Sequence, residues 1–165
     1  MSFDLWRRMV RADLNAVNEL ADRVHVAYPE DPEIFEERFR LYPGGCFVCE
    51  DRGRFQGYAI SHPWRRHTVP ALNSLLRRLP ESCDTYYIHD IALASDGRGA
   101  GHGSTIVDLI KRHARDNRFE SISLVAVNRS TPFWERHGFL VQSTPSLREK
   151  LRSYDPQAAY LVCPL

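Results

Sequence analysis

Four glycines fall within seven residues in the stretch Gly97-Arg98-Gly99-Ala100-Gly101-His102-Gly103, directly after an apolar run and directly before a helical pattern. The glycine turn therefore links a strand to a helix N-terminus. Such a junction binds anions. The first N–H groups of a helix lack partners within it, the dipole is positive at that end, and glycine lets a phosphate approach the backbone. A P-loop would close with Lys before Ser or Thr, but Gly103 passes to Ser104 without a Lys. The dinucleotide fingerprint fails too, because Gly99, Gly101 and Gly103 make G-x-G-x-G and Ser104 stands where the third glycine belongs.

A second cluster lies downstream. Residues 121–127, Ser-Ile-Ser-Leu-Val-Ala-Val, read as a strand. It is followed by Asn128-Arg129-Ser130-Thr131-Pro132-Phe133-Trp134-Glu135-Arg136-His137-Gly138-Phe139. Ser130 or Thr131 can cap a short helix there, Pro132 suits its first turn and Gly138 ends it.

Arg98-Gly99-Ala100-Gly101-His102-Gly103 resembles the Arg/Gln-x-x-Gly-x-Gly/Ala signature of the GNAT superfamily of N-acetyltransferases, and the Asn128 to Phe139 segment resembles that family's later motif. The two motifs stand in the family's order, with a helix and a strand between them, and with the strand before the loop they cover residues 84–139, about a third of the chain. The resemblance implies a GNAT acyl-CoA N-acyltransferase fold: a single α/β domain, a mostly antiparallel mixed sheet splayed between the fourth and fifth strands and flanked by helices. It implies acetyl-CoA as cosubstrate and no metal. The pyrophosphate would lie on Arg98, Gly99, Ala100, Gly101, His102, Gly103 and Ser104. The backbone of Ile91, Ala92 and Leu93 would meet the pantetheine arm and the acetyl group, with Asn128, Phe133 and Trp134 on the other side.

Moving an acetyl group from a thioester to an amine needs a neutral amine, a polarised carbonyl and a proton for the thiolate. His89, nine residues before Arg98, matches the position at which arylalkylamine N-acetyltransferases carry a histidine implicated in deprotonating the amine. A His titrates near neutral pH without special tuning. The alternative is a His satisfied by neighbours such as Asp90, with Asp90 itself or ordered water then the candidate base. Period-two alternation places Tyr87, His89 and Ile91 on one face and Asp90 on the other, unless a bulge reverses the order. Trp134 departs from the family, which usually has Tyr there as the acid near the sulfur. An indole N–H donates a hydrogen bond but does not ionise readily. The acid is then water, another Tyr such as Tyr160, or absent. His62, Trp64 and Tyr87 are candidates for the acceptor site, and His62 and Trp64 could equally be a surface His and a buried indole that anchor a loop.

Residues 4–10 read as a first strand, and Asp13 can cap a helix running to Val26. A second helix, residues 33–41, ends at Pro43-Gly44-Gly45. Residues 46–50 and 55–61 form a hairpin. Residues 63–83, with Pro63, Pro70 and Pro80, are irregular, with a short helix expected over 71–79. A strand over 84–94, a helix over 101–116, a strand to Gln142 and a last strand over 157–163 complete the expected order, and residues 143–156 read as a polar connection.

At 165 residues with 43% hydrophobic and 26% charged side chains, the chain suits one soluble domain over residues 1–165. A net charge of +1 argues against a nucleic-acid partner. The four cysteines are too few and scattered for a disulfide framework, and Cys46 and Cys49, in one strand, read as core or edge residues rather than a zinc or redox pair. No signal peptide or membrane-spanning run is read, and a cytoplasmic location is expected, with a homodimer possible in principle. The sequence thus points to acetyl transfer from acetyl-CoA to a primary amine of a small molecule, by direct attack in a ternary complex. A protein Lys or N-terminal acetyltransferase and a non-catalytic acyl-CoA sensor are the alternatives.

Overall fold

A computed structural model describes residues 5–152 and 154–165. Asp4, the start of the expected first strand, lies outside the described residues. Among the described residues seven strands form one sheet: β1 (Trp6–Arg8), β2 (Cys46–Asp51), β3 (Arg54–Trp64), β4 (Thr85–Leu93), β5 (Ser121–Ala126), β6 (Leu140–Val141) and β7 (Ala159–Pro164). Their spatial order is β1-β2-β3-β4-β5-β7-β6, and only β4 and β5 run parallel. That pair is joined by α3 (His102–Asp116), the crossover a parallel pair requires. The remaining helices are α1 (Leu14–Val24), α2 (Pro32–Leu41), α4 (Thr131–Arg136) and α5 (Pro145–Leu151).

Helical periodicity decides which face each helix buries. In α1, Leu14, Val17, Leu20 and Ala21 meet one side of β2 to β4 alongside Phe35 of α2. In α3, Ile106, Val107, Ile110 and Ala114 cover the other side, with Trp134 and Phe139. A third cluster gathers Leu147 and Leu151 of α5 with Val69, Tyr160 and Val162. Each fully buried Leu or Ile of this kind stabilises the fold by about 1.5–3 kcal/mol.

Two irregularities in β4 build the site. The register pairs Ile60 with Asp90 and Ser61 with Ile88, which leaves His89 as an extra residue in a bulge. Strict alternation is thereby overturned. His89 and Asp90 both turn toward α1 and the loop after it, where His89 meets Glu30 and Asp90 meets His25, while Ile91 packs on the α3 side. The second irregularity is on the opposite edge: β4 and β5 pair only over residues 86–88 and 122–124. Beyond that point no ladder joins them, and the expected splay between the fourth and fifth strands is present.

Three local expectations fail for identifiable reasons. No helix forms over 71–79, because Pro70 and Pro80 bracket the segment and the backbone N–H groups of Leu76 and Arg77 donate instead to the Glu37 carboxylate, at 2.6 and 2.9 Å. Conversely, residues 145–151 are helical: Thr144 accepts from the N–H of Leu147 and Pro145 suits the first turn. Asp13 does not cap α1; its carboxylate accepts from Val10 N–H and pairs with Arg7 at 2.8 Å.

The buried Glu37 carboxylate also pairs at 2.7 Å with Arg38, whose other arm donates to the Ser74 carbonyl. Arg38 is 1% exposed, so this ion pair and its backbone acceptors and donors hold residues 74–77 onto α2. Glu37→Ala strands a buried guanidinium and two N–H groups, and should cost about 3–5 kcal/mol in urea denaturation. Glu37→Gln, which keeps an acceptor, should cost less. A loss under about 1 kcal/mol for Glu37→Ala would mean that the pair does not secure the segment.

Candidate active site

Two hollows meet at the β4 bulge. The larger runs along the splay between β4 and β5 and is lined by Ile88 to Leu93, Leu124, Asn128, Phe133 and Trp134, with Arg98 and Gly103 at one end. A smaller pocket lies under the loop after α1 and the segment at Pro70, between Tyr28, Tyr87 and Tyr154. His25, His89, Asp90, Val125 and Val127 line both. A group crossing from one hollow to the other passes these side chains.

The glycine turn fits an anionic ligand. Gly99 and Gly101 both have φ of +83°, and a Cβ built on either meets nothing within 4 Å, so only conformation demands glycine there. Gly101 caps α3 with no side-chain hydrogen bond to the first turn, which leaves the helix N–H groups for a ligand. Gly103 is different: a Cβ there would lie 3.3 Å from the Phe133 ring and 3.5 Å from Leu93. It keeps the end of the cleft open. His102 is turned inward, with its carbonyl accepting from the Trp6 indole at 3.2 Å, and Ser104 Oγ lies 3.2 Å from His137 Nε2. Ala100 is exposed on the turn.

Two carboxylate–imidazole pairs occupy the junction. His89 Nε2 lies 2.8 Å from Glu30 Oε1, both nearly buried. Burial works to raise the Glu30 pKa, but the His89 ring, the Asn73 N–H and the Arg38 charge outweigh it and hold the carboxyl down to about 2. With Nε2 committed to Glu30, Nδ1 is the nitrogen of His89 left to exchange a proton. His25 Nε2 lies 2.7 Å from Asp90 Oδ1, and Tyr58 donates to Asp90 Oδ2 at 2.5 Å. Burial alone would lower the His25 pKa; the hydrogen bond and charge of Asp90, with Glu30 beyond, override it and raise the pKa above its ordinary value.

The other expected residues divide. Tyr87 lines the smaller pocket. His62 is not a surface residue: it is buried behind Tyr87, with ring centroids 5.5 Å apart, and burial drives its pKa down to about 3. Trp64 lines neither hollow and anchors its loop through an indole bond to the Thr68 carbonyl at 2.9 Å. Tyr160 is corrected as a candidate acid, because its ring belongs to the α5 cluster and its hydroxyl accepts from His67 N–H at 3.1 Å, away from the cleft. Trp134 does line the cleft, wedged between Phe133 and Phe139. His25, Tyr28, Glu30 and Tyr154 escaped the sequence reading. They sit in connections whose side chains carry no periodic signal, and only the chain's return over β4 makes them neighbours.

Cys46 and Cys49 are buried free thiols, with burial pushing their pKa values up to about 12 and 11. Among the described residues no cluster of three or more metal-ligating side chains occurs, and no helix is long and apolar enough to cross a membrane.

The family model described as the acetyltransferase (GNAT) family matches residues 13–139. No curated protein matches the chain. Among solved structures, the chain is similar to the ribosomal-protein-S18-alanine N-acetyltransferase from Escherichia coli, with TM-score 0.70, 15% identity and coverage of 96% of this chain and 92% of that one. It is similar to Rv2747 from Mycobacterium tuberculosis in complex with CoA and NLQ, with TM-score 0.72, 17% identity and coverage of 97% and 98%. A GNAT-like decarboxylase, GphF in complex with isobutyryl-CoA, matches with TM-score 0.77, 15% identity and coverage of 96% and 98%. At these identities the likenesses are of fold. With the family match over most of its length, the chain belongs to the acetyltransferase (GNAT) family and is an acyl-CoA-dependent N-acetyltransferase.

Proposed function

We propose that the protein transfers an acetyl group from acetyl-CoA to the primary amine of a small molecule, by direct attack in a ternary complex. The observation that carries this reading is the junction of the two hollows at His89. Acetyl-CoA would lie in the larger one, its pyrophosphate toward Arg98 and the α3 N-terminus, its pantetheine arm along Ile91 to Leu93 opposite Asn128. The amine would come through the smaller one. A small acceptor is favoured by what covers that pocket: Tyr28 donates to Asp155 at 2.7 Å and Tyr154 to the Pro70 carbonyl, which ties three connections together above it. A polypeptide laid across the site would have to break these ties. The closest flavour is the arylalkylamine type, supported by His89 and by the tyrosine walls.

Acetyl-CoA supplies a thioester carbonyl open to attack. His89, oriented by Glu30, takes a proton from the ammonium and passes it to solvent; the freed nitrogen then forms the new C–N bond, and as the C–S bond breaks the second nitrogen proton is taken up by the same ring. The departing thiolate needs a proton. With Tyr160 elsewhere and Trp134 unable to supply one, His25 is the acid this reading assigns, since Asp90 keeps its ring protonated to higher pH and it faces both hollows. Placement of the reactants supplies much of the remaining rate.

His89→Ala should lower kcat by roughly 10²-fold, with acetyl-CoA affinity barely changed, in a thiol-release assay with a panel of primary amines. The signs of the pH profile follow from the roles. Activity falls at high pH as His25, whose pKa is raised, loses its proton. Asp90→Asn removes what raises His25 and leaves burial to lower it, so the falling limb should move to lower pH. An unchanged falling limb would assign the acid to water. Unchanged kcat in His89→Ala would return the proton removal to solvent.

The cofactor assignment has its own check. Gly103→Val should push its methyls against Phe133 and Leu93 and reduce acetyl-CoA affinity by about tenfold or more in calorimetry, while the melting temperature changes little. Wild-type affinity in this variant would move the phosphates away from the α3 N-terminus.

A further inference from the structure

We infer that the acceptor pocket takes primary amines that carry no carboxylate and turns the corresponding amino acids away; this rests on the smaller hollow being the acceptor site. The pocket contains two carboxylates, Glu30 and Asp90, and among the described residues no Lys or Arg lines it. The guanidinium that acts on both Glu30 and Tyr87 belongs to Arg38, which is buried and committed to Glu37 and the Ser74 carbonyl, with its Nε also buried. Each imidazole already gives its Nε2 to a carboxylate, His25 to Asp90 and His89 to Glu30, so its charge is matched within the pocket.

An ammonium group entering this pocket finds the oxygens of two carboxylates and the His89 ring as acceptors. A substrate carboxylate beside the same amine would be stripped of water next to Glu30 and Asp90, where both imidazoles are already given to those carboxylates and no Lys or Arg lines the wall among the described residues. Discrimination of this kind works by repulsion. The rest of the wall suits the carbon body of such an amine. The Tyr28 and Tyr154 hydroxyls are tied to Asp155 and Pro70, and Leu72 and Val125 present only carbon, so the pocket offers ring and aliphatic surface.

Matched pairs separate charge from shape. The full-length protein loaded with CoA is titrated calorimetrically with tyramine and tyrosine, and with isopentylamine and leucine. Each amine should bind at least about 30-fold more tightly than its amino acid, the size expected of a like-charge penalty in a partly dry pocket. Tyrosine methyl ester, which keeps the bulk and loses the charge, should bind close to tyramine. Leu72→Lys, which adds a cation to the wall, should shrink the tyramine to tyrosine ratio about tenfold. Equal affinity within threefold in both pairs, an ester that binds as poorly as tyrosine, or no binding of any amine overturns the inference. Selective amine binding without thiol release from acetyl-CoA would uphold it while overturning the proposed transfer reaction.

Discussion

One extra residue in β4 is the constraint from which the site follows. With His89 unpaired between Ser61 and Ile60 of the neighbouring strand, two consecutive side chains point to the same face, which regular pleating forbids. That puts two polar groups where a strand would present one, directly beneath the end of α1. The same strand parts from β5 just where its bulge begins, after Ile88 and Leu124. A straight β4 would place Asp90 among the apolar side chains under α3 and carry the parallel ladder further along β5. The cleft and its titratable groups therefore have a common origin in backbone geometry.

Charge placement on the α1 and α2 side follows a single rule. Each of three sequestered carboxylates has a cation or imidazole and further hydrogen-bond donors: Glu37 with Arg38 and two N–H groups, Glu30 with His89 and Asn73, Asp90 with His25 and Tyr58. Unpaired, any one of them would be costly in so dry a setting. Satisfied, they fasten irregular chain. Residues 65–84 have few ladder bonds of their own, and the partners of Glu37 and Glu30 give them a fixed course over the pocket. The network that removes the cost of burial is thus the one that shapes the pocket's roof.

What was legible in the sequence was what repeats or punctuates. The glycine turn, the α1 and α3 stripes, the hairpin over β2 and β3 and the Pro-Gly-Gly stop announce themselves within a few residues, and the family motifs implied the splay between the fourth and fifth strands. The larger hollow accordingly gathers residues that the sequence singled out, Ile91 to Leu93, Arg98, Gly103, Asn128, Phe133 and Trp134. The smaller hollow was read poorly. Glu30 and His89 are 59 residues apart, Tyr28 and Asp155 127 apart, and no local pattern joins them. His62 was misread for a related reason: a lone His at a strand end gives no sign that Trp64 and Tyr87 will enclose it. The missing helix over 71–79 failed because a side chain from α2 satisfied the backbone that a helix would have satisfied.

Trp134 gains its meaning from this division. On the α3 side it packs edge-on against Phe133 and Phe139, and Phe133 in turn lies against Gly103, so the aromatic cluster fixes how closely α4 approaches the first turn of α3. An indole fills that space with carbon where a phenol would bring a hydroxyl, and the wall of the cleft it forms has no group to give up a proton. On the opposite wall, His25 closes α1 with a ring held by Asp90, and Asp90 owes its position to the bulge at His89. On the proposed reading, the proton source has crossed from α4, the helix after β5, to the end of α1. Proton removal from nitrogen and proton delivery to sulfur then come from one side, from two rings that the fold brings together at the end of α1 and at the β4 bulge. On that reading the other side grips the thioester, and turnover does not depend on the usual tyrosine.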